Sequence, residues 1–184
     1  LPPIAGLKDR IDNENHNIYS ILGMISHIND FPKDLEGKKV VVVGGGAVGL
    51  DVVEFFADRN ADISIVEMMD QIGRDLDPVS KNDTKTMMKK HNVHQLTKTA
   101  LLEVKDSSFL VKGDGEPYEL PFEYGFVCLG MRAQGQLYQN LTEEFSSEDV
   151  EIMNIGDSQR ARRIIDGTQE GRNILTILEQ KGYL

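Results

Sequence analysis

The chain has 184 residues, 40% hydrophobic and 27% charged, which fits one domain with its own core and room for an appendage. Thirty acidic against twenty basic residues give a formal charge of -10, which argues against a nucleic-acid partner. An anionic ligand must then be held by local amides and dipoles, not by the global field.

No run of about 18 apolar residues and no signal-peptide pattern occurs, so the expected protein is cytoplasmic, with no membrane partner. The first residue is leucine, and an excised domain or a processed fragment is expected. Pro2, Pro3 and Gly6 open an extended lead-in, and Ile18 to Ile28 has the apolar spacing of a short amphipathic helix that Phe31-Pro32 ends. Asp34 to Lys38 is a polar turn into the next element.

Residues 39 to 67 carry the strongest signal. Lys39 and the valine run Val40 to Val43 read as a buried strand, Gly44-Gly45-Gly46-Ala47-Val48-Gly49 as a turn into a helix, and Ile63 to Val66 as a second strand followed by Glu67. Gly44 allows the tight turn, Gly46 removes a side chain that would block a pyrophosphate, and Gly49 lets the helix lie against the strand. The amides of Ala47 and Val48 at the helix start face the phosphates. Glu67, eighteen residues after Gly49, is positioned to accept hydrogen bonds from the adenosine ribose and to repel a 2′-phosphate, which favours NAD(H). Met68, next to it, joins the candidate cofactor-binding set. Met68, Met69 and Asp70 stand where a 2′-phosphate site would want arginines, and Arg74 is the nearest downstream cation.

Asp77 and Pro78 suit the start of a helix running to about Asn92, with Val79, Met87 and Met88 as its apolar positions. His91 and His94 near its end read as a solvated pair, and no metal site is expected. Three short alternating stretches follow, Ala100 to Val104, Phe109 to Val111 and Tyr118 to Leu120, separated by Asp106-Ser107-Ser108 and Gly113-Asp114-Gly115. They predict a β-meander in place of a crossover helix.

Tyr124 to Leu129 reads as a buried strand that Gly130-Met131-Arg132 ends, at the carboxyl edge of a parallel sheet. The one cysteine, Cys128, lies in this run and reads as a small core residue; alone, it excludes an internal disulfide or a Cys-x-x-Cys pair. Val150 to Ile155 is a final strand candidate before Gly156-Asp157-Ser158. Ile164, Ile165, Thr168, Ile174, Leu175 and Leu178 then make a helical apolar face. The predicted fold class is α/β: a Rossmann-like parallel sheet with helices on both faces and an inserted three-stranded antiparallel β-meander.

This succession resembles the flavin-dependent pyridine nucleotide-disulfide oxidoreductase superfamily. The features that carry it are the glycine turn answered by Glu67, the meander, the strand ending at Leu129-Gly130, and Ile155-Gly156-Asp157 before a helix. The tail, with Arg162-Arg163-Ile164-Ile165 and Glu170-Gly171, is most similar to the C-terminal half of the 2,4-dienoyl-CoA reductase, enoate reductase, trimethylamine dehydrogenase and NADH oxidase relatives. The lead-in Leu1-Pro2-Pro3-Ile4-Ala5-Gly6 resembles that family's crossing from the FAD domain into the NAD domain.

The resemblance implies a lead-in and helix from the FAD-domain side over 1–36, an NAD(H)-binding domain over 37–145, and a strand and helix resembling part of the FAD domain over 146–184. It also implies Asp51 near the nicotinamide carboxamide, although an acid complementing the helix N-terminus reads equally well. Gly130 and Met131 would line the nicotinamide side. Gly156 and Asp157 would belong to the FAD side, with Asp157 a spectator in the absence of that domain's own glycine motif.

The expected function is an NADH-binding domain of an oxidoreductase that passes hydride from NADH to FAD, with no catalytic residue of its own and little activity as an isolated piece. Its partners would be NADH, the remaining FAD-domain half and a further catalytic domain. The alternatives are a non-catalytic NAD-sensing module and a self-contained NAD-dependent dehydrogenase. Against the latter, no Tyr-x-x-x-Lys pair occurs.

Overall fold

The computed structural model describes residues 4–148 and 150–183, so Leu1, Pro2 and Pro3 of the lead-in lie outside the described residues. The chain forms two compact units, Leu1–Gly130 and Met131–Leu184. In chain order the first contains α1 (Leu7–Arg10), β1 (Ile18–Tyr19), α2 (Ile21–Ser26), β2 (Lys39–Val43), α3 (Ala47–Ala57), β3 (Asp62–Val66), α4 (Pro78–Lys90), β4 (His94–Leu96), β5 (Ala100–Val104), β6 (Ser108–Lys112), β7 (Tyr118–Pro121) and β8 (Tyr124–Val127).

Five strands form a parallel sheet in the order β1-β8-β2-β3-β4, and β5-β6-β7 form a separate antiparallel sheet. β2 is the central strand, in register with β3 from Lys39 opposite Asp62 to Val43 opposite Val66, and with β8 from Val40 opposite Tyr124 to Val43 opposite Val127. The valine run follows from that position, because a central parallel strand is covered on both faces.

Side-chain alternation along β2 divides the core. Val40 and Val42 point to one face, where they meet Leu50, Val52, Val53 and Phe56 of α3, with Met24 of α2 and Met88 of α4. Val41 and Val43 point to the other, against Val104, Phe109 and Val111 of the meander, where Leu7 of the single-turn helix α1 also packs. Helices thus lie on both faces, and the meander covers most of the second. Burial of each large side chain contributes about 1.5–3 kcal/mol, so the fully buried α3 residues Val52, Val53 and Phe56 anchor that helix to the sheet.

Local signals set the ends of these elements. Asp77 caps α4 by accepting from the amides of Val79 and Ser80, with Pro78 in the first turn. The Ser80 hydroxyl and amide hold the Asp77 carboxyl below the usual carboxylate range.

Four sequence expectations need correction. The helix expected from Ile18 begins only at Ile21, because Ile18 is a fully buried strand residue opposite Gly125 and the Ser20 hydroxyl caps the helix by accepting from the Gly23 amide. Val79 is exposed on the first turn of α4, leaving Met88 as that helix's buried side chain. The strand expected to reach Leu129 ends at Val127, although the Cys128 amide still donates to the Val43 carbonyl at 2.7 Å.

The fourth lies in the second unit, which contains α5 (Gln136–Glu144), a 3₁₀ turn at Gly156–Ser158 and α6 (Ile164–Lys181). Val150 to Ile155 forms no strand there. This unit has no strand among its described residues, so the segment has no ladder partner within it. No described residue of α5 or α6 is buried, and Ile164, Ile165 and Leu175 of the apolar face on α6 are exposed.

Candidate functional site

The carboxyl ends of β2, β3 and β8 converge at the point where the strand order runs outward in both directions from β2, the position at which open α/β sheets bind ligands. Gly44 leaves β2 with φ +110° and its amide donates to the Val66 carbonyl at 2.8 Å. A Cβ at Gly44 would lie 2.2 Å from the Cys128 carbonyl oxygen, and one at Gly49 would lie 1.9 Å from the Gly44 carbonyl oxygen. Both glycines therefore permit backbone to touch backbone.

Gly46 differs. It has ordinary extended backbone, and a Cβ there would meet no atom within 4 Å. It is the N-cap of α3, no side chain caps that helix, and Gly46 and Ala47 are exposed, so the first turn of the helix starts uncapped at the surface. Such a helix start attracts an anion through its amides and its dipole.

Glu67 follows β3 and is fixed at both oxygens. Oε2 accepts from the Gly45 amide at 2.6 Å and Oε1 from the Met69 amide at 2.7 Å. Its main chain bonds to Leu96 and Thr99, each at 2.9 Å. Each carboxylate oxygen keeps a lone pair that could accept one further hydrogen bond without breaking these. The segment after Glu67 returns to the turn through the Gly73 amide, which donates to the Gly45 carbonyl at 2.7 Å. Met68 and Arg74 are exposed on either end of that segment. The sequence reading missed Gly45 and Gly73; their role runs through backbone groups, and only the extra glycine at 45 and the isolated glycine at 73 hinted at it.

Asp51 is exposed on α3 and lines a cleft of about 360 Å³ between α3 and α4 with Glu54, Ser80 and Asp83. Cys128 is partly buried, and desolvation, reinforced by the Asp51 charge, pushes its thiol up to about 11. At pH 8 the native thiol should react with iodoacetamide about a hundredfold more slowly than in urea, because two pH units of thiolate population are lost. Equal rates in mass-spectrometric labelling would contradict this. His94 faces Asp62 at 3.5 Å across β3 and β4, while His91 caps the C-terminal end of α4.

Gly130, two residues beyond Cys128, has φ +82° and open space around it. The structure thus gathers Gly44, Gly46, Ala47, Val48, Gly49, Asp51, Glu67, Met68 and Gly130 in the first unit, while Met131, Gly156 and Asp157 belong to the second. In the second unit the Gly156 amide donates to Glu170 Oε2 at 2.7 Å, and the Arg162 amide donates to Asp157 at 3.1 Å. The Gly156 amide, and then the paired Arg162 guanidinium, hold the Glu170 carboxyl below the usual range.

A family model described as pyridine nucleotide-disulphide oxidoreductase matches residues 1–154. The chain belongs to that family. It is a family of flavin- and pyridine-nucleotide-dependent oxidoreductases. Among curated relatives, the metal reductase of Desulforamulus reducens is 27% identical, with 74% of this chain and 24% of that protein covered. The NADH oxidase of Thermoanaerobacter brockii is 25% identical, with 87% and 24% covered, and the bilirubin reductase of Mediterraneibacter gnavus is 26% identical, with 93% and 24% covered.

A solved 2-naphthoyl-CoA reductase complex with 2-naphthoyl-CoA aligns at a TM-score of 0.69 and 20% identity, over 93% of this chain and 24% of that one. Histamine dehydrogenase from Rhizobium sp. 4-9 aligns at 0.67 and 14% identity, over 89% and 27%. At these identities the structures establish the fold. The chain spans about a quarter of the length of the curated relatives named here.

Proposed function

We propose that the first unit is the NADH-binding part of a larger flavin-dependent oxidoreductase, and that the second unit belongs to the flavin-binding side. The observation that carries the reading is the pairing of an open, uncapped helix start at Gly46 with a carboxylate already fixed beside it at Glu67. The residues fit a dinucleotide: Gly46, Ala47 and Val48 would meet the pyrophosphate and Glu67 the adenosine ribose. Gly130 and Met131 would line the nicotinamide side, with Asp51 near its carboxamide and Met68 near the adenosine.

NADH, when bound, supplies the hydride, and FAD in the whole protein takes it. The duty of this chain is to orient the donor and to discriminate against a 2′-phosphate. The matched relatives are named for different acceptors, a metal and bilirubin among them, yet in each the matched segment is about a quarter of the whole protein. That supports assigning the donor side to this segment and the acceptor to the remainder of the parent. The absence of any buried residue from α5 and α6 also supports a second unit that is completed by further chain.

Calorimetric titration of the 184-residue chain with NADH, NADPH and FAD tests the reading. NADH should bind, NADPH more weakly, and FAD should not copurify in stoichiometric amount. Absence of NADH binding would sink the proposal, and stoichiometric FAD would redraw the division between its two parts.

A further inference from the structure

We infer that Gly45, which lies between the pattern-forming glycines, is a specificity-determining positioning residue that aims Glu67 at the ribose; this rests on the NADH reading above. Three observations carry it. The Gly45 amide is 2.6 Å from Glu67 Oε2, its carbonyl accepts from the Gly73 amide at 2.7 Å, and Gly45 does not have a left-handed backbone. Glycine is therefore not needed at 45 for conformation.

It is needed for space. A Cβ at Gly45 would stand 3.0 Å from Glu67 Oε2, 3.1 Å from its Cβ and 3.2 Å from its Cγ. All three neighbours belong to one partly exposed side chain, and two of them, Cγ and Oε2, move when it rotates about its Cα–Cβ bond. An alanine at 45 therefore displaces the Glu67 carboxylate from its seat, with a shift of a few tenths of an ångström between the turn and the end of β3 to relieve the contact with the Glu67 Cβ. The Met69 amide, two residues along the same segment, holds Oε1 only locally, and the carboxylate's link across to the glycine turn runs through Gly45. Gly45 touches neither ribose nor phosphate in this role; it acts through the orientation of Glu67.

The readout that isolates this role is the ratio of NADH to NADPH affinity, since damage to the pyrophosphate turn weakens both alike. In the full chain, Gly45→Ala should cut the NADH preference by about tenfold, matching Glu67→Ala, and the double variant should lose no more than Glu67→Ala does alone. A Gly45→Ala protein that keeps the wild-type ratio, or a double variant whose losses multiply, overturns the inference. If the wild-type chain fails to bind NADH, the underlying reading fails instead, which the same titration reveals. A second measurement needs no Gly45 variant: the Gly45 amide proton should resonate downfield and move upfield in Glu67→Gln. An unmoved resonance would show that the bond is absent in solution.

Discussion

Gly44→Ala is expected to be among the most destabilising substitutions in the first unit, costing about 3–5 kcal/mol. Two separate effects add. The residue sits at φ +110°, a conformation that a side chain strains, and the new Cβ would lie 2.2 Å from the Cys128 carbonyl oxygen. The obstructing atom is main chain at the end of β8, so relief requires β2 and β8 to separate. That would disturb the 2.7 Å bond from the Cys128 amide to the Val43 carbonyl and the packing of Val43 on the meander face. Domains of this size are stable by only about 5–15 kcal/mol, so the loss is a large fraction of the whole. Urea denaturation followed by circular dichroism should show a lower midpoint with an unchanged slope. A Gly44→Ala variant within about 1 kcal/mol of wild type would mean that the turn is looser than the close approach of Gly44 to Cys128 implies.

The same two kinds of constraint explain which parts of the molecule were legible in its sequence. β2 could be read because a strand covered on both faces needs an unbroken apolar run, and Val40 to Val43 supply one. The meander could be read because its turn residues sit between short alternating runs. β1 and β4 could not: Ile18–Tyr19 and His94–Leu96 are too short to show a period, and they are strands only because Gly125 and Ser64 offer partners. Val150 to Ile155 failed for the opposite reason. Its composition suits a strand, but pairing is a property of the neighbour, and none stands among the described residues of the second unit.

At the site, the residues that face a ligand were legible and those that hold them were not. Glu67 and the three spaced glycines follow from ligand chemistry, whereas Gly45 and Gly73 act through an amide and a carbonyl that every residue possesses. Only the space around them makes their identity matter.

Gly46→Val is expected to abolish NADH binding, by about a hundredfold or more, while changing stability by less than about 1 kcal/mol. The backbone at Gly46 is extended, which valine adopts readily, and a Cβ there meets nothing within 4 Å, so neither strain nor a clash opposes the change. The small cost comes from valine's weakness as an N-cap. That emptiness is the reason for the predicted loss. Space left open above uncapped amides at a helix start is where a pyrophosphate would approach, and amide bonds to a charged oxygen are worth about 1.5–3 kcal/mol each. Branched carbons at Gly46 would keep the phosphate out of reach of the Ala47 and Val48 amides. Gly44 and Gly46, two residues apart in one motif, therefore separate folding from binding: one substitution lowers the unfolding midpoint, the other silences the titration of a folded protein. Wild-type NADH affinity in Gly46→Val would place the phosphates elsewhere on the first unit and remove the reason for reading the turn as a cofactor site.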